Sequence, residues 1–426
     1  MTAAPASHGT VRGTIRVPGD KSLSHRALIF AALGNGTARI RDILRSADVQ
    51  STAHVLRTLG VDIDPLGDVV TVKGRGVRGL VPPTEPLQCG NSGTTTRLMS
   101  GVVAGHPMIA RFEGDASLSR RPMRRVADPL TKMGATFTFE NGEGLPMTVH
   151  GRDLQPIQWT SAAASAQIKS AILLAGLVAQ VPVSVTEPER SRDHTERLLS
   201  ALGAEVIVDG FTVSLPVVHK LAPIDVTVPG DPSSAAFFAA LAALSSDAEL
   251  RLTGVCLNPT RTGFFDAIQR MGARLQYEEV ENRAGEPVGT VVVSTGSLRA
   301  IEIGEAEVPS LVDEIPMLAC LATRAHGETV VRGAAELRVK ESDRIAAVVS
   351  NLRAIGATAE EHPDGMTVTG TDVPLRGRVT THGDHRIAMA FGVLGALPGN
   401  EIEIDDRDCA SVSYPEFWND LARVTS

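Results

Sequence analysis

The chain has 426 residues, 49 acidic and 41 basic, for a formal net charge of −8. That length exceeds the roughly 250–300 residues at which a single hydrophobic core stops growing, so two or three domains are expected. The mildly negative balance argues against a broad nucleic-acid or acidic-membrane surface, and an anionic ligand would have to be held by locally clustered cations.

The first residues, MTAAPASHGTVRG, lack the cationic and apolar segments of a signal peptide. The longest apolar run, Ala171 to Val185, is interrupted by Gln180 and Pro182. It falls short of the about twenty residues that a bilayer span needs. Cys89, Cys256, Cys320 and Cys409 lie far apart with no CxxC pair, which suggests neither a disulfide framework nor a zinc site. A soluble protein of a reducing cytoplasm is expected.

Val11, Gly13, Ile15 and Val17 alternate as in a strand; Pro18 and Gly19 break it, and a helix of small apolar residues begins near Ser22. This stretch, VPGDKSLSHRALIFAAL from Val17, returns as VPGDPSSAAFFAALAAL from Val228. Looser copies begin at Cys89, Ser161, Val312 and Thr381. Anchored on Lys21, Asn91, Ser165, Ser233, Asp313 and Asp384, successive copies stand 70, 74, 68, 80 and 71 residues apart. Gly60, Gly134, Gly203, Gly272 and Gly356, each closing a similar apolar segment, repeat at the same period. The chain thus reads as six units, each a strand, helix, strand, helix and hairpin, gathered into two halves of three. The second VPGD marks a boundary near residue 230. One expected domain spans 20–229, and the other joins 1–19 to 230–426. The polar excursion Glu278 to Gly289 is expected to lengthen a hairpin.

The six apolar helices carry so little charge that burial on all sides is predicted. A buried helix start has unpaired N–H groups and about half a positive charge. Three parallel helices in each half would aim up to six such ends at one heavily anionic small molecule.

Polar groups at these helix starts carry the chemistry. Lys21 and Ser22 open the first helix, with Arg26 one turn on, although a solvated cation beside an N-cap serine would look the same. Gly90, Asn91, Ser92, Gly93 and Thr94 form a donor-rich loop that lacks the GK[ST] ending of a nucleotide P-loop. Of Arg120, Arg121, Arg124 and Arg125, Arg121 precedes Pro122 and stands at a loop-to-helix junction, whereas Arg124 and Arg125 read as a solvated face. SAQIKS offers Ser165, Gln167 and Lys169. ERSRDHTER offers Arg190, Arg192 and Asp193, with Ser191 readable as an N-cap partnered by Asp193. Asp313 opens an apolar helix and reads as a cap or as a functional acid. In ELRVKESDR, a helix would put Lys340 and Arg344 on one side with Glu341 adjacent. HGDHRIAM brings Asp384, His385 and Arg386, and His382 with His385 supports a metal only weakly.

PGDKSLSHR, GNSGTTTR, SRRPM, SAQIKSAILLAG, RVKESDR and GDHRIAM together resemble the 5-enolpyruvylshikimate-3-phosphate synthases over essentially the whole chain. The resemblance implies an α/β fold of two similar globular domains, each of three βαβαββ units with parallel buried helices. This is the inside-out α/β barrel of the enolpyruvyl transferases, whose two halves close on the substrates. It implies transfer of the enolpyruvyl group of phosphoenolpyruvate to the 5-hydroxyl of shikimate 3-phosphate, with no cofactor or metal, in a cytoplasmic monomer with no nucleic-acid or membrane partner. Carried over, Lys21 contacts both substrates, Ser22 and Arg26 contact shikimate 3-phosphate, and Gly93 and Arg121 contact phosphoenolpyruvate. Ser165, Ala166, Gln167 and Arg192 occupy shikimate phosphate positions, and Asp313 and Lys340 contact shikimate. Arg344 and Arg386 clamp the phosphoenolpyruvate carboxylate. Asp313 is the candidate base; Glu341 and Lys21 are candidates for proton delivery. Ala166 stands where the best-known branch has serine, Glu336 where it has asparagine and Val412 where it has lysine.

The sister enzyme acting on UDP-N-acetylglucosamine carries a reactive cysteine in the loop matching residues 113 to 121, and EGDASLSRR has none. A nucleic-acid binder is disfavoured by the acidic balance and by only two tyrosines and two tryptophans. An inactive binding protein would have no need of Asp313 and Glu341.

Overall fold

The computed structural model describes residues 10–425. Residues 1–9, most of the segment read above for a signal peptide, lie outside the described residues, as does Ser426. Contacts divide the chain into two units. One comprises Gly19–Pro229 with Asn282–Glu286; the other comprises the residues up to Pro18 with Gly230–Glu281 and Pro287–Ser426. Residue 19 and the hairpin tip 282–286 therefore group with the residue 20–229 segment.

Within the first unit three helices are buried nearly all round: α1 (Lys21–Leu33), α2 (Gly93–Ala104) and α3 (Ala166–Ala179). Their sequences dictate this, because every position from Leu23 to Leu33 is sequestered and no face is polar enough to meet water. Asp20 starts α1 by accepting from the Leu23 N–H at 2.7 Å, and Ser92 starts α2 by accepting from the Thr95 N–H at 3.2 Å. Gly101 lets α2 meet α3 backbone to backbone, since a Cβ there would lie 2.1 Å from the Ala171 carbonyl oxygen.

Three four-stranded sheets cover these helices, and each repeats one order. In the first, Asp225–Thr227 runs parallel to Asn35–Arg41, which pairs antiparallel with Val69–Arg75, with Asp62–Ile63 at the edge. Leu87–Gln88 with Ile109–Glu113, and Ile157–Thr160 with Val183–Thr186, begin the second and third in the same way. A parallel pair needs a crossover, and in the second and third sheets the buried helices α2 and α3 supply it; in all three the remaining strands pair antiparallel.

The other unit repeats the plan with α4 (Pro232–Leu244), α5 (Ile315–Ala322) and α6 (His385–Gly395). Val11–Ile15 pairs in parallel with Ala248–Cys256, and the hairpin after it has strands of ten and nine residues, Arg274–Arg283 and Glu286–Ser294. Glu302–Ile303 with Glu328–Val331 opens the next sheet. The last sheet has only Arg376–Val379 and Glu401–Ile404. Its unit lacks the expected hairpin: the chain instead forms the helix Phe417–Thr425, whose Phe417 ring packs 5.7 and 5.8 Å from those of Phe237 and Phe238 on α4. No helix among the described residues is long and apolar enough to cross a membrane.

Candidate active site

In the unit built on α1–α3, the helix starts lie side by side. Gln167 at the start of α3 donates to Thr94 Oγ1 at 3.0 Å and accepts from Arg97 Nη1 at 2.5 Å, both residues of α2. Arg26 on α1 donates to Ser170 on α3 at 2.8 Å, to Thr195 Oγ1 at 2.8 Å and to the Ser22 carbonyl at 3.0 Å. Its guanidinium therefore commits at least three of five donors to the protein, and burial pulls its pKa down to about 10, still charged at neutrality. Lys21 Nζ lies 3.2 Å from Asp48. Behind it His25, driven by burial to a pKa of about 3 and so neutral, meets Thr52 at 2.7 Å; Thr52 meets Thr95, and Thr95 meets Ser92, each at 2.7 Å. This buried chain of hydroxyls holds the starts of α1 and α2 in register.

Gly93 is the first residue of α2, between two guanidiniums. A Cβ built there would stand 3.2 Å from Arg97 Nη1 and 3.5 Å from Arg121 Nη1. Arg121 is itself turned back by Asn91, whose Oδ1 accepts from Nη2 at 2.5 Å. Arg124 by contrast pairs with Glu143 on the surface. Ser165 precedes α3 and donates its N–H to Glu187 at 2.7 Å; Ala166, the first helical residue, adds no side-chain donor. Arg192 sits half-buried in the loop before the helix His194–Ala201.

Three expectations for this unit are corrected. Lys169 is not a ligand donor at a helix start, because its ammonium is buried between Glu187 and Glu196 at 2.8 Å each. Ser191 is not an N-cap, since its hydroxyl donates to Glu187 at 2.7 Å. Asp193 caps nothing through its side chain and instead accepts from Arg197 at 2.9 Å.

In the unit built on α4–α6 the centre is Arg344, whose side chain is 1% exposed. Asp384 Oδ2 accepts from its Nε at 2.8 Å, Glu341 Oε2 from Nη2 at 2.8 Å and Asp313 Oδ1 from Nη1 at 3.3 Å. Burial disfavours the guanidinium charge, but the three carboxylates reverse this and raise its pKa. Asp384 also starts α6 by accepting from the Arg386 N–H at 3.0 Å, and takes the Ser342 hydroxyl at 3.0 Å. Arg386 Nη1 reaches within 3.9 Å of Glu314, which accepts from Ser233 on α4. The starts of α4, α5 and α6 are thus neighbours.

Asp313 is not a helix cap. It lies in the short 3-10 turn Val312–Glu314 with no capping hydrogen bond. Lys340 Nζ lies 4.0 Å from Asp313 and 3.0 Å from Glu336. Contrary to the helical spacing, Lys340 and Glu341 do not share a helix with Arg344. Asp343 accepts from the Ala346 N–H at 3.1 Å and begins the helix Arg344–Ala354, leaving 340–343 as a loop. That loop folds Glu341 onto Arg344.

Sequence reasoning missed Arg97, Asp48, Glu187 and the hold of Asp384 on Arg344. Arg97 had a signal: it stands four residues after Gly93, as Arg26 stands four after Ser22. No group of three or more His, Cys, Asp or Glu residues suited to a metal ion occurs among the described residues.

Each unit therefore presents three neighbouring helix starts, roughly half a positive charge apiece, edged by lysines and arginines with carboxylates among them. Such a surface suits a small polyanion. The chain belongs to the EPSP synthase (3-phosphoshikimate 1-carboxyvinyltransferase) family, whose model matches residues 5–421. It is 47% identical over 420 residues to the 3-phosphoshikimate 1-carboxyvinyltransferase of Sulfurihydrogenibium sp. (strain YO3AOP1), covering 97% of each chain. It is 46% identical to that of Bacillus subtilis (strain 168), covering 98% of each. The solved EPSP synthase of Acinetobacter baumannii superposes with a TM-score of 0.88 at 40% identity, over 99% of this chain and 97% of that one.

Proposed function

We propose that the chain transfers the enolpyruvyl group of phosphoenolpyruvate to the 5-hydroxyl of shikimate 3-phosphate, releasing phosphate. The observation that carries the assignment of roles is the constellation of Asp313 and Glu341 on two arms of the buried Arg344. Asp313 takes the proton of the 5-hydroxyl as its oxygen bonds to C2 of phosphoenolpyruvate, while C3 gains a proton from Glu341 or Lys21. The adduct then loses phosphate by breaking the C2–O bond, and C3 returns its proton. Lys21, Ser22, Arg26, Ser165, Gln167, Arg192 and Lys340 hold shikimate 3-phosphate. Lys21, Gly93, Arg121, Gln167, Arg344 and Arg386 hold phosphoenolpyruvate. Seven cations for two multiply charged substrates let the site be basic in an acidic protein.

Phosphate release from phosphoenolpyruvate tests the substrate. It is expected with shikimate 3-phosphate and not with UDP-N-acetylglucosamine; the reverse would assign the sister reaction. The protein is proposed to act in the cytoplasm as a monomer. It is proposed to need no metal, because the charges it sets against the substrates are lysines and arginines. Turnover is expected to survive EDTA, and its loss with restoration by one divalent ion would contradict this.

Gly93 tests the phosphoenolpyruvate assignment through glyphosate, the family's competitor for that site. The nearest atoms to a methyl at Gly93 are the guanidinium ends of Arg97 and Arg121, at 3.2 Å or more, so Gly93→Ala should fold normally. It crowds the longer glyphosate more than phosphoenolpyruvate. The glyphosate inhibition constant is expected to rise by a larger factor than KM for phosphoenolpyruvate. Equal or reversed factors in steady-state assays would remove Gly93 from that site.

A further inference from the structure

Glu187 follows the strand Val183–Thr186 directly, is 4% exposed, and is pinned through its N–H to the Phe211 carbonyl at 3.1 Å. Its carboxylate joins three pieces of chain. Oε1 accepts the Ser165 N–H at 2.7 Å, where α3 begins; Oε2 accepts the Ser191 hydroxyl at 2.7 Å and lies 2.8 Å from Lys169 Nζ, one turn into α3. Ser165 and Arg192, the residue after Ser191, are both assigned above to the phosphate of shikimate 3-phosphate.

Stability alone gives little reason for this cluster. A buried ion pair is commonly no more stable than apolar residues of the same volume, and here Glu196 at 2.8 Å already pairs Lys169. A second carboxylate beside a phosphate subsite also repels the ligand. What Glu187 adds is geometric: from one rigid strand end it fixes the backbone entering α3 and the loop that carries Arg192.

We propose that Glu187 is the positioning residue of the phosphate subsite, setting the geometry in which Ser165 and Arg192 meet the 3-phosphate. It rests on the substrate assignment above and touches neither substrate itself. Loss of one hydrogen bond to a charged group typically costs roughly ten- to a hundredfold in affinity, so the effect should be plain in binding.

Titration of the intact protein with shikimate 3-phosphate and with shikimate tests this, using Glu187→Gln and Arg192→Ala. The Gln variant keeps the volume and loses the charge. Its affinity for shikimate 3-phosphate is expected to fall roughly tenfold or more, with little change for shikimate. KM for shikimate 3-phosphate should rise while KM for phosphoenolpyruvate holds. Equal losses for both ligands would make Glu187 a structural residue only, and tighter binding of shikimate 3-phosphate would leave it only a through-space charge. Should Glu187→Gln fail to fold, Glu187→Asp keeps the charge over Lys169 but shortens the reach, and a selective loss for shikimate 3-phosphate is again expected. If Arg192→Ala leaves the preference for shikimate 3-phosphate over shikimate intact, the phosphate subsite itself is misassigned. If Arg192→Ala lowers it and the Glu187 variants do not, the role of Glu187 alone falls.

Discussion

Asp313→Asn is expected to lower kcat by about 10²- to 10⁴-fold, the usual contribution of a general base, while affinity for shikimate 3-phosphate changes little. The amide keeps the shape and accepts from Arg344 Nη1, now at 3.3 Å from Oδ1, but it cannot take a proton from the 5-hydroxyl. Folding should be nearly unaffected, because Arg344 retains Asp384 and Glu341 at 2.8 Å. Steady-state kinetics beside calorimetric titration separates the two effects. Near-normal turnover in the Asn variant would remove Asp313 from the chemistry.

Arg344→Ala is the second large effect, and it falls on both stability and substrate. Removing one partner of a buried ion pair leaves an uncompensated charge and typically costs about 3–5 kcal/mol. Here the abandoned group is Asp384, which is 0% exposed and keeps the Ser342 hydroxyl and the Arg386 N–H as donors. Burial disfavours the charge of Asp384, and Arg344 overcomes this to hold its pKa below the ordinary value. That part of the stability is therefore present above the unfolded carboxylate range and is lost as the pH falls through the lowered folded value. Without Arg344, burial dominates and raises the pKa of Asp384. The deficit of the variant relative to the parent should then narrow on acidification from neutrality, and Asp384→Asn added to Arg344→Ala should recover part of it. Denaturant unfolding across pH measures this; a deficit independent of pH would show that the orphaned carboxylate is not its source. KM for phosphoenolpyruvate should rise at the same time, through loss of one arm of the carboxylate clamp.

Much of the architecture is legible because the same physical problem is solved six times. Each apolar helix needs a polar start, so Asp20, Ser92, Asp231 and Asp384 recur as caps at a spacing that sequence comparison within the chain detects. The shortened sixth unit was not legible, since its aromatic closure depends on Phe417 meeting α4 far back in the chain. Charges inside the helices proved hardest to read. Lys169 looks like Lys21 in sequence, but its partners Glu187 and Glu196 lie 18 and 27 residues away and bury it. Likewise Lys340, Glu341 and Arg344 have helical spacing, yet the Asp343 cap puts the first two in a loop. Local spacing shows which groups are near in sequence, and long-range pairing decides which of them remain available to a ligand.

The central claim is that the C2–O bond of phosphoenolpyruvate breaks and its enolpyruvyl carbon skeleton is transferred. Phosphoenolpyruvate labelled with ¹⁸O at the bridging oxygen reports this directly when it turns over with shikimate 3-phosphate. Mass spectrometry is expected to find the label in the released phosphate and the unlabelled enolpyruvyl ether on the shikimate product. Label retained on a pyruvate product, with the phosphoryl group transferred instead, would contradict enolpyruvyl transfer and the roles assigned to Asp313 and Glu341 with it.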